Sequence, residues 1–306
     1  MVFKKMLRRL GVGGPTVDTV LRSADTQPGR TLTGQIELTG GDHDAVIEYI
    51  ALSLVTQGEV GDGQPSVFEF ARTIVSGEFT LAEGEQRALP FEFVVPWETP
   101  ITTFYGEPLR GMAIGVRTEL AVAKAVDKGD LDIVRVHPLA SHERVLEAMA
   151  NLGFRFKSAD VELGQIRGTR QQLPFYQEIE YYGPPGRITE AEVTFVTTEF
   201  GFELVLEADR RGGAFSGGGD AIGRFDMSHV DADGHDWEGA IGQWLDRVAQ
   251  YSHHGHHHDG HHDHGHHGGG GMGGVIAGAA AGVVGGMVLG EVLDEVGDSF
   301  FGEEEE

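Results

Sequence analysis

The sequence predicts a mainly β chain in two folding units, the first an antiparallel sandwich and the second a sheet accompanied by helices. Three observations carry that expectation. Between residues 16 and 137, apolar and polar residues alternate with period two in one run after another, turn residues separate the runs, and no long helical pattern intrudes. A doubly wound parallel sheet needs crossover helices, so that class is excluded. From Ser141 the period changes to that of a helix, and further alternating runs follow it. A chain of 306 residues accommodates two domains, each large enough for its own core.

The chain starts with a short amphipathic helix. Val2, Phe3, Met6, Leu7 and Leu10 share one helical face, four bases occupy the other, and Gly11, Gly13, Gly14 and Pro15 end the pattern. Residues 1–14 are therefore expected to be a basic helix and its linker. Phe3, Lys4, Lys5, Leu7, Arg8, Arg9 and Leu10 are the candidate contacts to an anionic membrane surface or to a partner, the alternative being that the apolar face packs on the chain's own first domain.

The strands follow. Leu32, Ile36 and Leu38 alternate with polar neighbours, as do Ile50, Leu52 and Leu54, and then Phe91, Phe93 and Val95. Breaks fall at Gly40-Gly41, at 61–65, at Glu83-Gly84 and at 96–100. Pro138 would interrupt a ladder, which places the first sandwich at 15–137 and the second domain at 138–251. That second domain opens with a helix capped by Ser141, carrying Val145, Leu146, Met149 and Leu152, and ended by Gly153. Strands are expected near 154–163, 175–182, 188–198, 202–208 and 222–230. The acidic run from Asp231 lacks calcium-loop spacing and is expected to be a turn before the last helix. That helix, capped by Asp236, has Trp237, Ile241, Trp244, Leu245 and Val248 on the side that covers the sheet.

Composition removes several functions. With no cysteine there is no disulfide, thiolate nucleophile or cysteine-held metal. The net charge is −25; from Tyr251 onward there are ten acids and no Lys or Arg, leaving 38 acids against 23 bases in residues 1–250. An acidic body repels phosphate backbones, so no nucleic-acid partner is expected. The basic start is not followed by a continuous apolar core, so no signal peptide is expected, and the protein is placed in the cytoplasm, at most peripheral to the inner face of the membrane. His43, His137, His142, His229 and His235 are scattered, with no serine elbow beside them, and are expected to be surface or capping residues. No catalytic residue and no required cofactor is assigned.

The tail holds two low-complexity segments. Residues 252–269 are rich in His and Gly: His253, His254, His256, His257, His258, Asp259, His261, His262, Asp263, His264, His266 and His267 offer imidazole and carboxylate ligands for Zn or Ni, without a spacing that selects one geometry. In residues 270–306, Gly270, Gly274, Gly278, Gly282, Gly286 and Gly290 recur every fourth residue, and an acidic terminus follows. Glycines at that spacing share one helical face and let a second helix approach closely, making homo-oligomerisation through this glycine zipper a candidate. The uncharged stretch from Met272 to Gly290 is roughly 28 Å long as a helix, yet seven of its 19 residues are Gly. Three readings stay open: a self-association or membrane-docking helix, a disordered glycine-rich tail, and a transmembrane span.

The chain resembles a known family. Leu146 to Arg155, Ala159-Asp160, Leu173-Pro174-Phe175 with Gln177-Glu178, Asp209-Arg210-Arg211 and Met227-Ser228-His229 are similar to the bacterial stage-zero sporulation-control M family. In the first half, the similarity lies in the basic amphipathic start, Val17-Asp18-Thr19, Pro28-Gly29, and Leu89-Pro90-Phe91 with Phe93. The resemblance covers roughly residues 1–250 and implies two tandem arrestin-like antiparallel β-sandwich domains, the second with one or two helices. It also implies a non-enzymatic adaptor that regulates sporulation or cell differentiation through contacts with other proteins. A metal-binding or membrane-associated scaffold acting through the tail is the alternative.

Overall fold

The computed structural model describes residues 13–60, 64–209 and 222–254. The chain is mainly β, its sheets are antiparallel almost throughout, and contacts divide it into two compact units that meet in sequence at His137 and Pro138. The basic helix expected over 1–10, the glycine series from Gly270 to Gly290, and the histidine segment beyond His254 lie outside the described residues.

The first unit holds β1 (Thr16–Leu21), β2 (Asp25–Thr26), β3 (Thr31–Thr39), β4 (Ala45–Val60), β5 (Gln64–Ser76), β6 (Phe79–Leu81), β7 (Gln86–Val94), β8 (Thr103–Phe104), β9 (Glu107–Pro108), β10 (Ile114–Val122) and β11 (Lys128–Val136). One layer is the three-stranded sheet β1-β3-β7. The other centres on β4, which pairs with β5, β6 and β10; β10 continues to β11, and β2 joins β11 in parallel. Alternation decides what lies between the layers. Leu32, Ile36 and Leu38 from β3 and Phe91 and Phe93 from β7 are buried, as are Ile50, Leu52 and Leu54 from β4 and Val116 and Leu120 from β10. Each such side chain withdrawn from water contributes about 1.5–3 kcal/mol, so this face sets the register of every strand.

The second unit holds α1 (Ala140–Asn151), β12 (Arg155–Leu163), β13 (Phe175–Tyr182), β14 (Glu190–Thr197), β15 (Gly201–Asp209), β16 (Ile222–Ser228), α2 (His229–Gly234) and α3 (Trp237–His254). The five strands form an antiparallel meander. Among the described residues the layer against this sheet is made of helices. Val145, Leu146 and Met149 of α1, and Trp237, Ile241, Trp244, Leu245 and Val248 of α3, are all buried. Gly223 on β16 lies under Trp244: a Cβ there would come within 2.8 Å of the indole. The closing helix thus covers the sheet as its apolar stripe predicts.

Three local details differ from the expectation. The N-cap of α1 is Leu139, not Ser141, and no side chain caps it; Ser141 is already inside the helix, where its hydroxyl serves a tertiary contact. The run after Ser228 is a short helix and not a turn, because the Ser228 hydroxyl accepts from the Asp231 amide and satisfies its start. His142 is buried, not a surface residue. By contrast, Gly153 has the positive φ of 90° that a helix end favours, and the Asp236 carboxylate accepts the Gly239 amide at 2.9 Å.

Candidate docking surface

The sequence-assigned candidates fall at the margins of the described chain. His253 and His254 close α3, while His256 to His267, Phe3 to Leu10 and the glycine series lie outside the described residues. Among the described residues no group of three His, Asp or Glu side chains is placed to hold a metal ion, and no helix is long and apolar enough to cross a membrane.

A groove in the first unit crosses β1, β3 and β7. Val20, Gln35 and Pro90 occupy one row by register, and with Thr33 and Glu92 they line a shallow groove of about 590 Å3. Gly34 sets its floor. A Cβ at that position would lie 2.3 Å from the Val20 carbonyl oxygen and 2.9 Å from the Phe91 ring, so only glycine lets β1 approach β3 this closely. Two large apolar side chains stay exposed on this sheet, Val20 at 42% and Val94 at 64%. β7 ends the order of its sheet, and Pro90 is tolerated there because a terminal strand can spare one ladder donor.

Several charged groups elsewhere in the first unit are paired. On β4, β5 and β10, Arg72 donates to Glu119 at 2.6 Å, Tyr49 donates to the same carboxylate, and the largely buried Arg117 is paired with Glu69. Burial pushes the Glu119 carboxyl up, but the bonds from Tyr49 and Arg72 outweigh it and hold it below its usual range. At the end of the first unit, Asp25 accepts from Arg135 at 2.8 and 2.6 Å and is 2.8 Å from His137, which keeps it well below the usual carboxylate range. Asp132 behaves in the opposite way. Half-buried beside Asp130 and Asp18, where β1 packs on β11, it is pushed up to about 7 by burial and then by those two acids.

In the second unit a histidine cluster ties helices to sheet. The Ser141 hydroxyl lies 2.8 Å from Nδ1 of His229, whose Nε2 is 2.9 Å from the Thr198 carbonyl. A serine beside an imidazole suggests a nucleophile, yet Ser141 is 5% exposed and this bond joins α1 to α2.

The sequence reading did not single out Val20, Gln35 or Pro90 as a surface. A proline inside an alternating run was the available signal, since it confines that run to the end of a sheet.

A family model described as SpoOM protein matches residues 3–212. The chain belongs to the SpoOM family. The sporulation-control protein spo0M of Bacillus subtilis (strain 168) is 36% identical over 219 residues, which is 68% of this chain and 81% of that protein. The crystal structure of Spo0M, sporulation control protein, from Bacillus subtilis superposes with a TM-score of 0.67 at 30% identity, over 78% of this chain and 100% of that one. The SpoOM match contains the groove and β12 to β15; α3 and the tail lie beyond it.

Proposed function

We propose that the chain is a non-enzymatic adaptor in the control of sporulation or cell differentiation, and that it works by docking other proteins on the β1-β3-β7 sheet. Membership of the SpoOM family and the name of the Bacillus subtilis relative support the regulatory role. The observation that carries the docking role is the groove along β1, β3 and β7, lined by exposed Val20, on a sheet that also exposes Val94 and ends with β7. A partner segment in extended conformation adds to such an edge through backbone hydrogen bonds and takes its specificity from alternate side chains.

The test has two arms. Expression of the full chain in Bacillus subtilis lacking its own spo0M restores normal sporulation frequency if the role is shared, and leaves it unrestored if it is not. The Val20→Lys, Val94→Lys double variant, folded as judged by circular dichroism, loses both that rescue and its captured partners; rescue at the parental level overturns the docking surface.

Ten of the fifteen histidines fall within residues 253–267, which favours a second activity, capture of Zn or Ni by the tail. Calorimetric titration of the full chain against a version with those ten replaced by Gln separates the two: equal heats contradict metal capture.

A further inference from the structure

Among the described residues, the two most exposed large apolar side chains stand at one corner of the second unit. Val230, on α2, is 84% exposed, and Phe200, in the turn between β14 and β15, is 76% exposed. One exposed apolar residue is ordinary on any surface, whereas adjoining ones turned this fully to water mark a contact surface. The two are distant in sequence, and the sheet brings them together. Gly201 is the register partner of Ser228; the next amide, that of His229, donates to the Phe200 carbonyl at 3.2 Å, and Val230 follows. Gly201 permits this approach, since a Cβ there would lie 2.1 Å from the Met227 carbonyl oxygen.

The corner is held in place by its own hydrogen bonds. The Thr198 amide donates to the Gly201 carbonyl at 2.8 Å and the Phe200 amide to the Thr198 hydroxyl at 3.3 Å, while that hydroxyl donates to the Gly201 carbonyl at 3.2 Å. His229 ties the turn to the helices: its Nε2 is 2.9 Å from the Thr198 carbonyl and its Nδ1 is 2.8 Å from the Ser141 hydroxyl of α1. The Ser228 hydroxyl caps α2 one residue before. Side chains carried on a fixed frame need little further ordering when a partner covers them, which favours affinity.

Charge and shape select the partner. Residues 197–201 and 228–236, which build the corner, contain Glu199, Asp231, Asp233 and Asp236 and no Lys or Arg. All four acids are exposed, and Arg144 of α1, which reaches Asp233, is engaged there at 2.9 Å. An acidic rim repels anionic lipid headgroups and phosphate backbones and attracts a cationic surface. Side chains as open as Phe200 and Val230 protrude, and a protruding side chain is received by the hole between four residues of a helix.

We propose that the Phe200–Val230 corner is a second docking site, independent of the groove in the first unit, for an amphipathic helix of another protein whose apolar stripe is flanked by Lys or Arg. Phe200 and Val230 enter the stripe, and Glu199 and Asp231 face the bases beside it.

The full chain is titrated, at physiological salt, into a fluorescein-labelled synthetic helix of about five turns with a leucine stripe and lysine flanks, and into a scrambled peptide of the same composition. The striped helix binds about tenfold tighter than the scrambled one. Phe200→Ser and Val230→Ser leave the melting temperature unchanged, because both positions are exposed, and each weakens binding about tenfold. Glu199→Gln weakens it less and reduces its salt dependence. Val94→Ser, on the first unit, binds as the parent does. Equal binding of the two peptides overturns the proposal, as does parental binding by Phe200→Ser and Val230→Ser, or an equal loss in Val94→Ser. Two further results give the corner to other occupants and overturn it as well. One is sedimentation in which the full chain self-associates and Phe200→Ser does not. The other is flotation of the full chain, but not of Phe200→Ser, with vesicles of phosphatidylglycerol and phosphatidylethanolamine.

Discussion

Nε2 of His142, on α1, lies 3.0 Å from Oγ1 of Thr197, on β14, and this bond fastens the first helix of the second unit to its sheet. The imidazole is 2% exposed, stacks on Phe195 at 4.4 Å, and meets Phe202 edge-on at 5.2 Å. Its Nδ1 has no hydrogen-bond partner among the described residues. Burial, then the neighbouring His229, hold it down to about 3. A histidine lowered in this way takes its proton only on unfolding, so the stability it contributes is present above pH 6.5 and is lost as pH falls towards 3. His142→Ala is expected to cost about 2–4 kcal/mol in denaturant unfolding at pH 7, from the cavity and the lost stacking. It is also expected to flatten the acid limb of the stability profile below pH 6. An unchanged acid limb contradicts this account of the cluster.

Gly34 tests the close approach of β1 to β3. Its hydrogen faces the Val20 carbonyl, part of the backbone and not a flexible side chain, so an added methyl must push the strands apart. Gly34→Ala is expected to lower stability by about 2 kcal/mol in chemical denaturation. The groove should widen with it, read as faster amide exchange in β1. A loss below about 0.5 kcal/mol would mean that β1 yields without strain.

Trp244 tests the helical layer of the second unit. It is 1% exposed and lies over Gly223. Trp244→Ala is expected to cost about 3–5 kcal/mol, and Gly223→Ala about 1–3 kcal/mol because the indole must move. Combined, the two are expected to cost less than their sum, since the alanine methyl occupies space the indole vacates. Strict additivity, measured by a double-mutant cycle, contradicts the contact.

Asp132 gives the first unit a pH dependence of its own. Because its folded value of about 7 exceeds the ordinary 3.8, the stability it contributes is full at low pH and is lost as pH rises to 7 and beyond. Asp132→Asn is expected to gain about 1 kcal/mol over the parent at pH 8, discounted for partial exposure, and nothing at pH 4. Equal gains at both pH values would point to packing and not to charge.

Much of the fold was legible because strand alternation and the Trp and Leu stripe of α3 are local patterns whose burial follows from period alone. β13 spans 175–182 as the alternation predicts, and the stripe residues of α3 are all buried. The errors came where a distant residue decides. Ser141 has the chemistry of a cap, but His229, 88 positions away, takes its hydroxyl. His142 sits between polar neighbours in sequence, and residues far along the chain, Phe195 and Phe202 among them, pack against it. The acids of the second unit's sheet were legible only in part: Glu178 and Glu180, Glu190 and Glu192, and Glu203 and Glu207 all fall on polar positions of predicted strands, but what each stands opposite depends on register. The groove across β1, β3 and β7 requires three strands to be assembled before it exists.

We propose that other proteins bind on the β1-β3-β7 sheet. Hydrogen–deuterium exchange of the full chain, alone and with a partner captured from cells, reads that directly. Protection of the β7 amides across 86–94, together with those of Val20 and Gln35, is the expected result. Full occupancy by the partner with exchange in β1, β3 and β7 unchanged would contradict it.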